Sequence, residues 1–450
     1  MDCATRLLVT WKRYWNSNCS TMWSPEFRMF YVENPKMTSA ISWVDRSLLR
    51  AVRRIADPVH VQVAAPGMSS PAPRQSPEAP TIWVDNRRTL AALLLNPEVS
   101  FGDAYSEGRL DIVGDIISVL ETLFESTSRV SGWNLRLVSA WLQWIQSNSL
   151  DGSHKNIHHH YDLPTDFYKL WLDRQMLYTC AYFPDRTATL EEAQRAKLDL
   201  VCQKLWLQPG ETVAEAGCGW GALSLYMAKH YGVRVKAFNI SHEQIVFARA
   251  RAKDQGLTSQ VEFIEEDYRN IRGHFDAFVS LGMVEHVGAE HYSRLGGVIH
   301  GAIGDSGRGL LHFIGRNYPQ PFSVWIRKRV FPGAYAPALR EAMQMLEPSD
   351  FSVLDVENLR PHYAKTLECW LQRFERSYES VAQRFGSDFA RMWRLYLAGS
   401  IAAFNVGALQ LFQIVFAGRK CRGIPWTRNH LGKETAERQQ QDQPWIHAMP

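Results

Sequence analysis

The residues best suited to holding a small ligand are consecutive: Val213-Ala214-Glu215-Ala216-Gly217-Cys218-Gly219-Trp220-Gly221. An apolar run, Thr212 to Ala216, reads as a buried strand, breaks at Gly217, and gives way to helical spacing from Ala222 to His230. Such a unit aims free backbone N–H groups and the positive end of a helix dipole at whatever lies beyond the strand. Glycines let the chain turn sharply and come close to that ligand. They run G-x-G-x-G, not the dinucleotide spacing G-x-G-x-x-G, and no lysine follows them as a phosphate-binding loop requires.

The compact glycine pattern, with acidic Glu215 near the strand end, is the one that S-adenosylmethionine (SAM) methyltransferases use. The elements that must position it alternate in type. Further strands are expected at 233–240, 261–264, 275–281 and 309–314, with a helix capped by Ser241 after the first of them. Residues 352–358 return to strand, a long helix opens at His362-Tyr363, and 392–415 carries a helix and a final strand. Ligands in such sheets sit beyond the carboxyl ends of the strands. That rule gathers Glu215, Asn239, Gln244, Asp267, Glu285 and His312 around one crevice. The expected fold class is therefore α/β: a doubly wound, Rossmann-like sheet of the SAM-dependent methyltransferase type. A helical cap insertion and a small N-terminal α+β domain complete it.

Composition narrows the partners. A net charge of +4 gives no concentrated basic face, which argues against nucleic acid but is compatible with an anionic membrane surface. The seven cysteines are scattered without a C-x-x-C pair, so zinc and redox frameworks are not expected and a reducing cytoplasm fits best. No run of 18 apolar residues suggests a spanning helix, and the N-terminus shows no signal-peptide core. Three consecutive histidines, His158 to His160, point in different directions, so no metal is expected there.

Four regions follow. Residues 1–40 are an unassigned extension. Residues 41–145 form an accessory domain. It opens with a basic amphipathic helix over Ile41–Ile55 and continues as a loose hairpin, Val59–Val63 with Thr81–Val84. A helix Asn86–Leu95 capped at Asp85 or Asn86, a turn-rich stretch at 101–108 and a helix Ile112–Phe124 complete it. Residues 146–430 form the catalytic domain, with the apolar insertion at about 317–348 read as a cap over the crevice. Residues 431–450 are polar and Gln-rich and are expected to be disordered.

Specific blocks then carry a family resemblance. HHHYDLPTDFYKLWLD at 158–173, YTCAYF at 178–183, GCGWGALSLYMAKHYGV at 217–233, NISHEQ at 239–244 and GMVEHVG at 282–288 stand in order. LLHFIG at 310–315, FPGAYAP at 331–337 and HYAKTLECW at 362–370 follow. Residues from about 80 to 430 resemble the cyclopropane-fatty-acyl-phospholipid synthase family, which includes the mycolic acid cyclopropane synthases. The resemblance implies transfer of a methylene from SAM across a cis double bond of an unsaturated phospholipid acyl chain. It implies a bound bicarbonate ion held by Cys180, Glu285, His312, the backbone of Ile314, and Tyr363. It implies SAM contacts at Tyr178, Thr179, Gly217, Cys218, Gly219, Asn239, Ile240, Ser241, Gln244, Asp267 and Tyr268, with Glu215 at the first strand end. Two positions depart: Glu215 stands where the family has Asp, and Asn239 where it has Thr. Both keep a hydrogen-bonding group.

The chemistry suits those residue types. An alkene is a weak nucleophile, so alignment with the activated methyl is the main lever. Attack leaves a carbocation that water would trap, so the pocket must be apolar, and aromatic faces from Tyr178, Tyr182, Phe183 and Tyr363 can stabilise it. Bicarbonate as general base then collects a proton from the new methyl group. Cys180 is read as a neutral thiol rather than a nucleophile. Two other outcomes stay open: methyl- or methylene-branched chains from the same cation, and a catalytically silent lipid- or SAM-binding protein. The expected setting is cytoplasmic, peripheral on the inner face of the membrane. The accessory domain either grips the bilayer or holds a second subunit in a homodimer.

Overall fold

The structure, a computed structural model, describes residues 60–63, 81–128 and 163–431. The expectations for 1–40, the helix at 41–55, the 65–80 loop, His158–His160 and the polar tail beyond 431 lie outside the described residues.

A small three-stranded sheet comes first, in the order β1 (His60–Val63), β2 (Thr81–Val84), β3 (Leu110–Val113). The expected hairpin is not formed, because β1 and β2 run parallel, with His60 opposite Thr81. Parallel neighbours need a connection of a dozen or so residues, and the sequence between Val63 and Thr81 is long enough for one. Helix α1 (Arg87–Leu95) starts as expected, with Asn86 Oδ1 accepting the Thr89 N–H at 3.0 Å.

The turn-rich stretch is instead part of a helix, α2 (Pro97–Ser106). Gly102 sits there because a Cβ would fall 2.2 Å from Trp325 Nε1, so the glycine is a packing site rather than a turn. The expected helix from Ile112 begins later, as α3 (Ile116–Ser128), because β3 occupies 110–113. Gly114, at φ 105°, ends the strand, and Asp115 Oδ2 accepts from Ser118 N at 3.1 Å to start the helix.

After α4 (Thr165–Lys169) comes α5 (Leu190–Lys204), opened by a Thr189–Glu192 capping box. The main sheet then alternates as expected. It runs β4 (Thr212–Ala216), α6 (Ala222–Tyr231), β5 (Arg234–Asn239), α7 (His242–Asp254), β6 (Val261–Glu265) and β7 (Ala277–Leu281). Helix α8 (Tyr292–Ile303) and β8 (Arg308–Gly315) follow. The insertion carries two short helices, α9 (Val324–Arg329) and α10 (Leu339–Ala342). The chain continues through β9 (Ser352–Asn358), α11 (Arg360–Arg376), α12 (Tyr378–Phe385), α13 (Ser387–Asn405) and β10 (Gln410–Ala417).

Strand order is β6-β5-β4-β7-β8-β10-β9, and β10 runs antiparallel to both neighbours. The order reverses direction between β4 and β7, which makes the ends of those strands the place for a ligand. On one side, Trp171, Trp370, Trp393, Phe167, Tyr168 and Phe404 form a fully buried aromatic layer that also takes in Cys180 and Tyr363. Helix α13 crosses that layer and is tied to the small sheet by Arg391, which donates to the carbonyls of Tyr105 and Leu110. The insertion is pinned to α2 by Arg329, which donates to both carboxylate oxygens of Asp103.

Candidate active site

All three motif glycines adopt the left-handed conformation: Gly217 at φ 81°, Gly219 at 54° and Gly221 at 83°. Gly221 also has no room for a Cβ, since one would lie 2.6 Å from Phe263 Cζ. The turn they make opens a crevice at the carboxyl ends of β4, β5, β6 and β7.

Eleven of the twelve residues expected at the cofactor line that crevice: Tyr178, Thr179, Glu215, Gly217, Cys218, Gly219, Asn239, Ile240, Gln244, Asp267 and Tyr268. Ser241 does not; it occupies the N-cap position of α7 without a side-chain capping bond, buried behind Asn239. Asn239 is committed to polar neighbours, donating to Gln244 Oε1 at 2.7 Å and to the Gly219 carbonyl at 3.3 Å. Glu215 is buried, accepts from the Ser224 hydroxyl, and is pushed up to about 7 by burial. The Tyr178 hydroxyl shares a 2.9 Å hydrogen bond with that of Tyr396.

Among the crevice residues that escaped sequence reasoning, two are basic side chains. Lys197 is fully buried and donates to Thr179 Oγ1 at 2.8 Å. Burial pushes its ammonium down to about 8, against the opposing pull of Asp173, Cys180 and Glu215. Its signal was available: Leu190, Lys197 and Lys204 stand seven residues apart along the buried stripe of α5, where lysine is out of place. His286 also lines the crevice and is held near 4 by burial.

None of the five residues expected at the reacting end lines the crevice itself: Glu285, His312 and Ile314 meet at the ends of β7 and β8, and Cys180 and Tyr363 belong to the aromatic layer. Glu285 follows β7, and its Oε1 accepts the N–H of Ile314 at 2.7 Å. That N–H was expected to face an anion; a buried N–H takes the nearest good acceptor, and here that is Glu285. Glu285 Oε2 and His312 Nε2 are buried with no hydrogen-bond partner among the described residues. Burial pushes Glu285 up to about 7 and holds His312 well below its ordinary value, so its ring is neutral. His312 and Ile314 are two apart on β8 and so face the same side.

Cys180 is fully buried, donates to the Ala181 carbonyl at 3.1 Å, and is held far above the ordinary thiol range by burial. Burial therefore disfavours a nucleophilic thiolate there. Helix α11 fixes the segment around it: Thr366 Oγ1 accepts from Ala181 N, and His362 Nδ1 accepts from Phe183 N, both at 3.0 Å. Tyr363 lies on the same helix, buried against Phe404 at a 4.7 Å ring separation. The buried charge of Lys197 acts on both Cys180 and His312, opposing the effect of burial at Cys180 and adding to it at His312.

Comparison with known proteins carries the reading further. The family model for mycolic acid cyclopropane synthetase matches residues 148–414. The chain belongs to that family. This cyclopropane synthetase family member is 35% identical over 349 residues to the cyclopropane-fatty-acyl-phospholipid synthase of Escherichia coli K12, covering 75% of this chain and 87% of that one. It is 34% identical over 364 residues to a probable fatty acid methyltransferase of Pseudomonas putida, covering 78% and 91%. Among solved structures it resembles mycolic acid cyclopropane synthase CmaA1 complexed with SAH and CTAB. That match has 30% identity and a TM-score of 0.56, covering 58% of this chain and 97% of that one. The family member is a SAM-dependent methyltransferase with a mostly parallel α/β sheet. No helix among the described residues is long and apolar enough to cross a membrane.

Proposed function

We propose that this enzyme is a cyclopropane-fatty-acyl-phospholipid synthase, working on an unsaturated acyl chain drawn from a membrane surface. SAM would lie along the glycine turn in the crevice, supplying a methyl group on a cationic sulfur. The observation that carries the reading is a polar spot in an apolar wall. Glu285 Oε2 and His312 Nε2 are buried without partners among the described residues, beside an aromatic layer that includes Cys180 and Tyr363. Glu285 is tied to β8 through Ile314, two residues from His312 on the same face, and two unpartnered polar atoms there would suit a small hydrogen-bonding oxyanion such as bicarbonate, which would supply a base held where bulk water is excluded.

The chain's own residues have three tasks. The aromatic layer keeps water from a carbocation on the acyl chain. His312 and the Tyr363 hydroxyl would hold such an anion by donating to it, and Glu285 would accept from its hydroxyl. Cys180 stays a neutral thiol and shapes the wall. Residues 41–145 are assigned as the accessory domain, 146–430 as the catalytic domain and about 317–348 as its cap. That cap touches the centre directly, since Tyr335 N donates to the Glu285 carbonyl at 2.8 Å. The lipid substrate places the enzyme peripherally on the inner membrane face.

Isotope-labelled SAM and vesicles of unsaturated phospholipid test the reading. Expected are lipid products that gain one CH2 and lose the double bond, formed more slowly when bicarbonate is rigorously stripped from the buffer and restored on its return. A product that keeps a double bond, or no product at all, removes the ring-forming reading. Indifference to bicarbonate removes the ion.

A further inference from the structure

The main sheet carries a ladder of polar side chains that ends at His312. On β8, β10 and β9 the residues directly opposite one another are His312, Gln413 and Glu357. Directly paired residues on neighbouring strands present their side chains to the same face. Lys204, from the last turn of α5, reaches that face, 2% exposed. Its ammonium donates to Gln413 Oε1 at 2.6 Å and pairs with Glu357. The other end of the Gln413 amide meets His312 Nδ1 at 3.0 Å.

Donor and acceptor roles along this chain are forced. An ammonium has only donors, so the Gln413 atom that meets Lys204 must be oxygen. The atom facing His312 is then the NH2 group, a donor. His312 Nδ1 must accept, so a neutral ring carries its proton on Nε2. That is the buried nitrogen without a partner among the described residues.

Resting on the function proposed above, we infer that Gln413 is a positioning residue: oriented by Lys204, it fixes His312 in the Nε2–H tautomer and so presents a donor to the reacting centre. Without the orienting lysine the amide could turn over, and Nδ1 would meet an oxygen. The ring would then move its proton to Nδ1 and offer a lone pair where an anion or developing charge needs a donor. Glu357, half exposed, anchors the outer end of the chain.

The test reads the tautomer itself. Nitrogen NMR of the full-length enzyme with labelled histidine, His312 assigned by difference with His312→Asn, should show Nε2 protonated and Nδ1 bare. In Gln413→Glu one carboxylate oxygen still meets Lys204 and the other demands a proton from Nδ1. The pattern should invert, turnover should fall about 100-fold, the scale of losing one oriented donor, and SAH affinity should stay unchanged. Lys204→Met should yield a mixture of tautomers, and Lys204→Arg should restore the wild-type pattern. A wild-type His312 protonated on Nδ1 overturns the inference without any substitution. So does a Gln413→Glu enzyme that keeps its proton on Nε2 or its full turnover. If the wild-type tautomer and its inversion appear but no lipid is modified by any variant, the positioning chain is supported and the functional reading fails, so the two failures are told apart.

Discussion

Glu285 and Ile314 share one hydrogen bond, 2.7 Å from the backbone N–H to Oε1, and that bond occupies only half of the carboxylate. The second oxygen, Oε2, is buried without a partner among the described residues. A buried carboxylate that is half satisfied is costly, and burial lifts Glu285 to about 7. The fold keeps an expensive group where an alanine or leucine would pack, which is the mark of a group retained for chemistry.

Replacing Glu285 by Gln should therefore separate binding from turnover. Glutamine keeps an oxygen for the Ile314 N–H, so the end of β8 stays in place. SAH affinity, read by calorimetry, should be unchanged because Glu285 does not line the crevice. Turnover with labelled SAM should drop at least about 100-fold, the scale on which one oriented charge or hydrogen-bond group matters. Normal product formation by this variant would take Glu285 out of the reaction.

Stability offers a second reading of the same carboxyl. Its value rises from an ordinary 4.5 to about 7 on folding, so the folded chain holds this proton more tightly than the unfolded one. The associated stabilisation is full below the unfolded value and is lost as pH rises through about 7. His286 and His312 are shifted down and act in the opposite direction, so the comparison must be made between wild type and Glu285→Gln. In urea titrations, the stability of wild type relative to that variant should fall steadily between about pH 5 and pH 8. Glu215→Gln should show the same trend, because burial lifts Glu215 to about 7 as well. A wild-type stability that instead rises with pH relative to these variants would mean that neither carboxyl carries its extra proton in the folded state.

What could be read from the chain alone followed how local each signal was. Gly217, Gly219 and Gly221 announce their turn because a left-handed backbone is a property of one residue at a time, and all three adopt it. The strands of the sheet were legible for the same reason. Gly102 misled because it looks like a turn residue, whereas its reason lies in Trp325, more than two hundred residues away. The pairing of Gln413 with His312 exists only once β10 lies antiparallel to β8. A glutamine inside the apolar strand 410–417 was a visible oddity, but its partner was not. Likewise, the competition of Glu285 for the Ile314 N–H depends on where the end of β7 meets β8.

Cys180 gives a prediction in chemical reactivity. Its thiol is fully buried and held in the neutral form, whereas Cys369 and Cys421 are only partly buried. Thiolate, not thiol, reacts with alkylating reagents. Iodoacetamide applied to the native enzyme at mildly alkaline pH should label Cys369 and Cys421 while leaving Cys180 unmodified, as peptide mass spectrometry would report. Unfolding in urea should make Cys180 react at the rate of the others. Fast labelling of native Cys180 would restore the nucleophile that the burial of this side chain excludes.

The glycine turn yields a contrast between two neighbouring positions with the same backbone hand. At Gly219 a methyl group would meet nothing within 4 Å, so Gly219→Ala carries only the cost of a left-handed alanine, about 1 kcal/mol. At Gly221 the same methyl would also fall 2.6 Å from Phe263 Cζ and 2.9 Å from Ala248 Cβ, so α6 must move away from β6 and α7. Overpacking of that kind adds about 1–3 kcal/mol. Gly221→Ala should thus melt several degrees below Gly219→Ala. The ligand effects should run the other way in kind. Gly219 lines the crevice and a methyl group there would meet no protein atom, so that variant should weaken SAH binding while folding nearly normally. Thermal melts in the absence and presence of SAH separate the two. Equal melting temperatures for both variants would show that the fit between Gly221 and Phe263 is not tight, and that backbone hand alone selects these glycines.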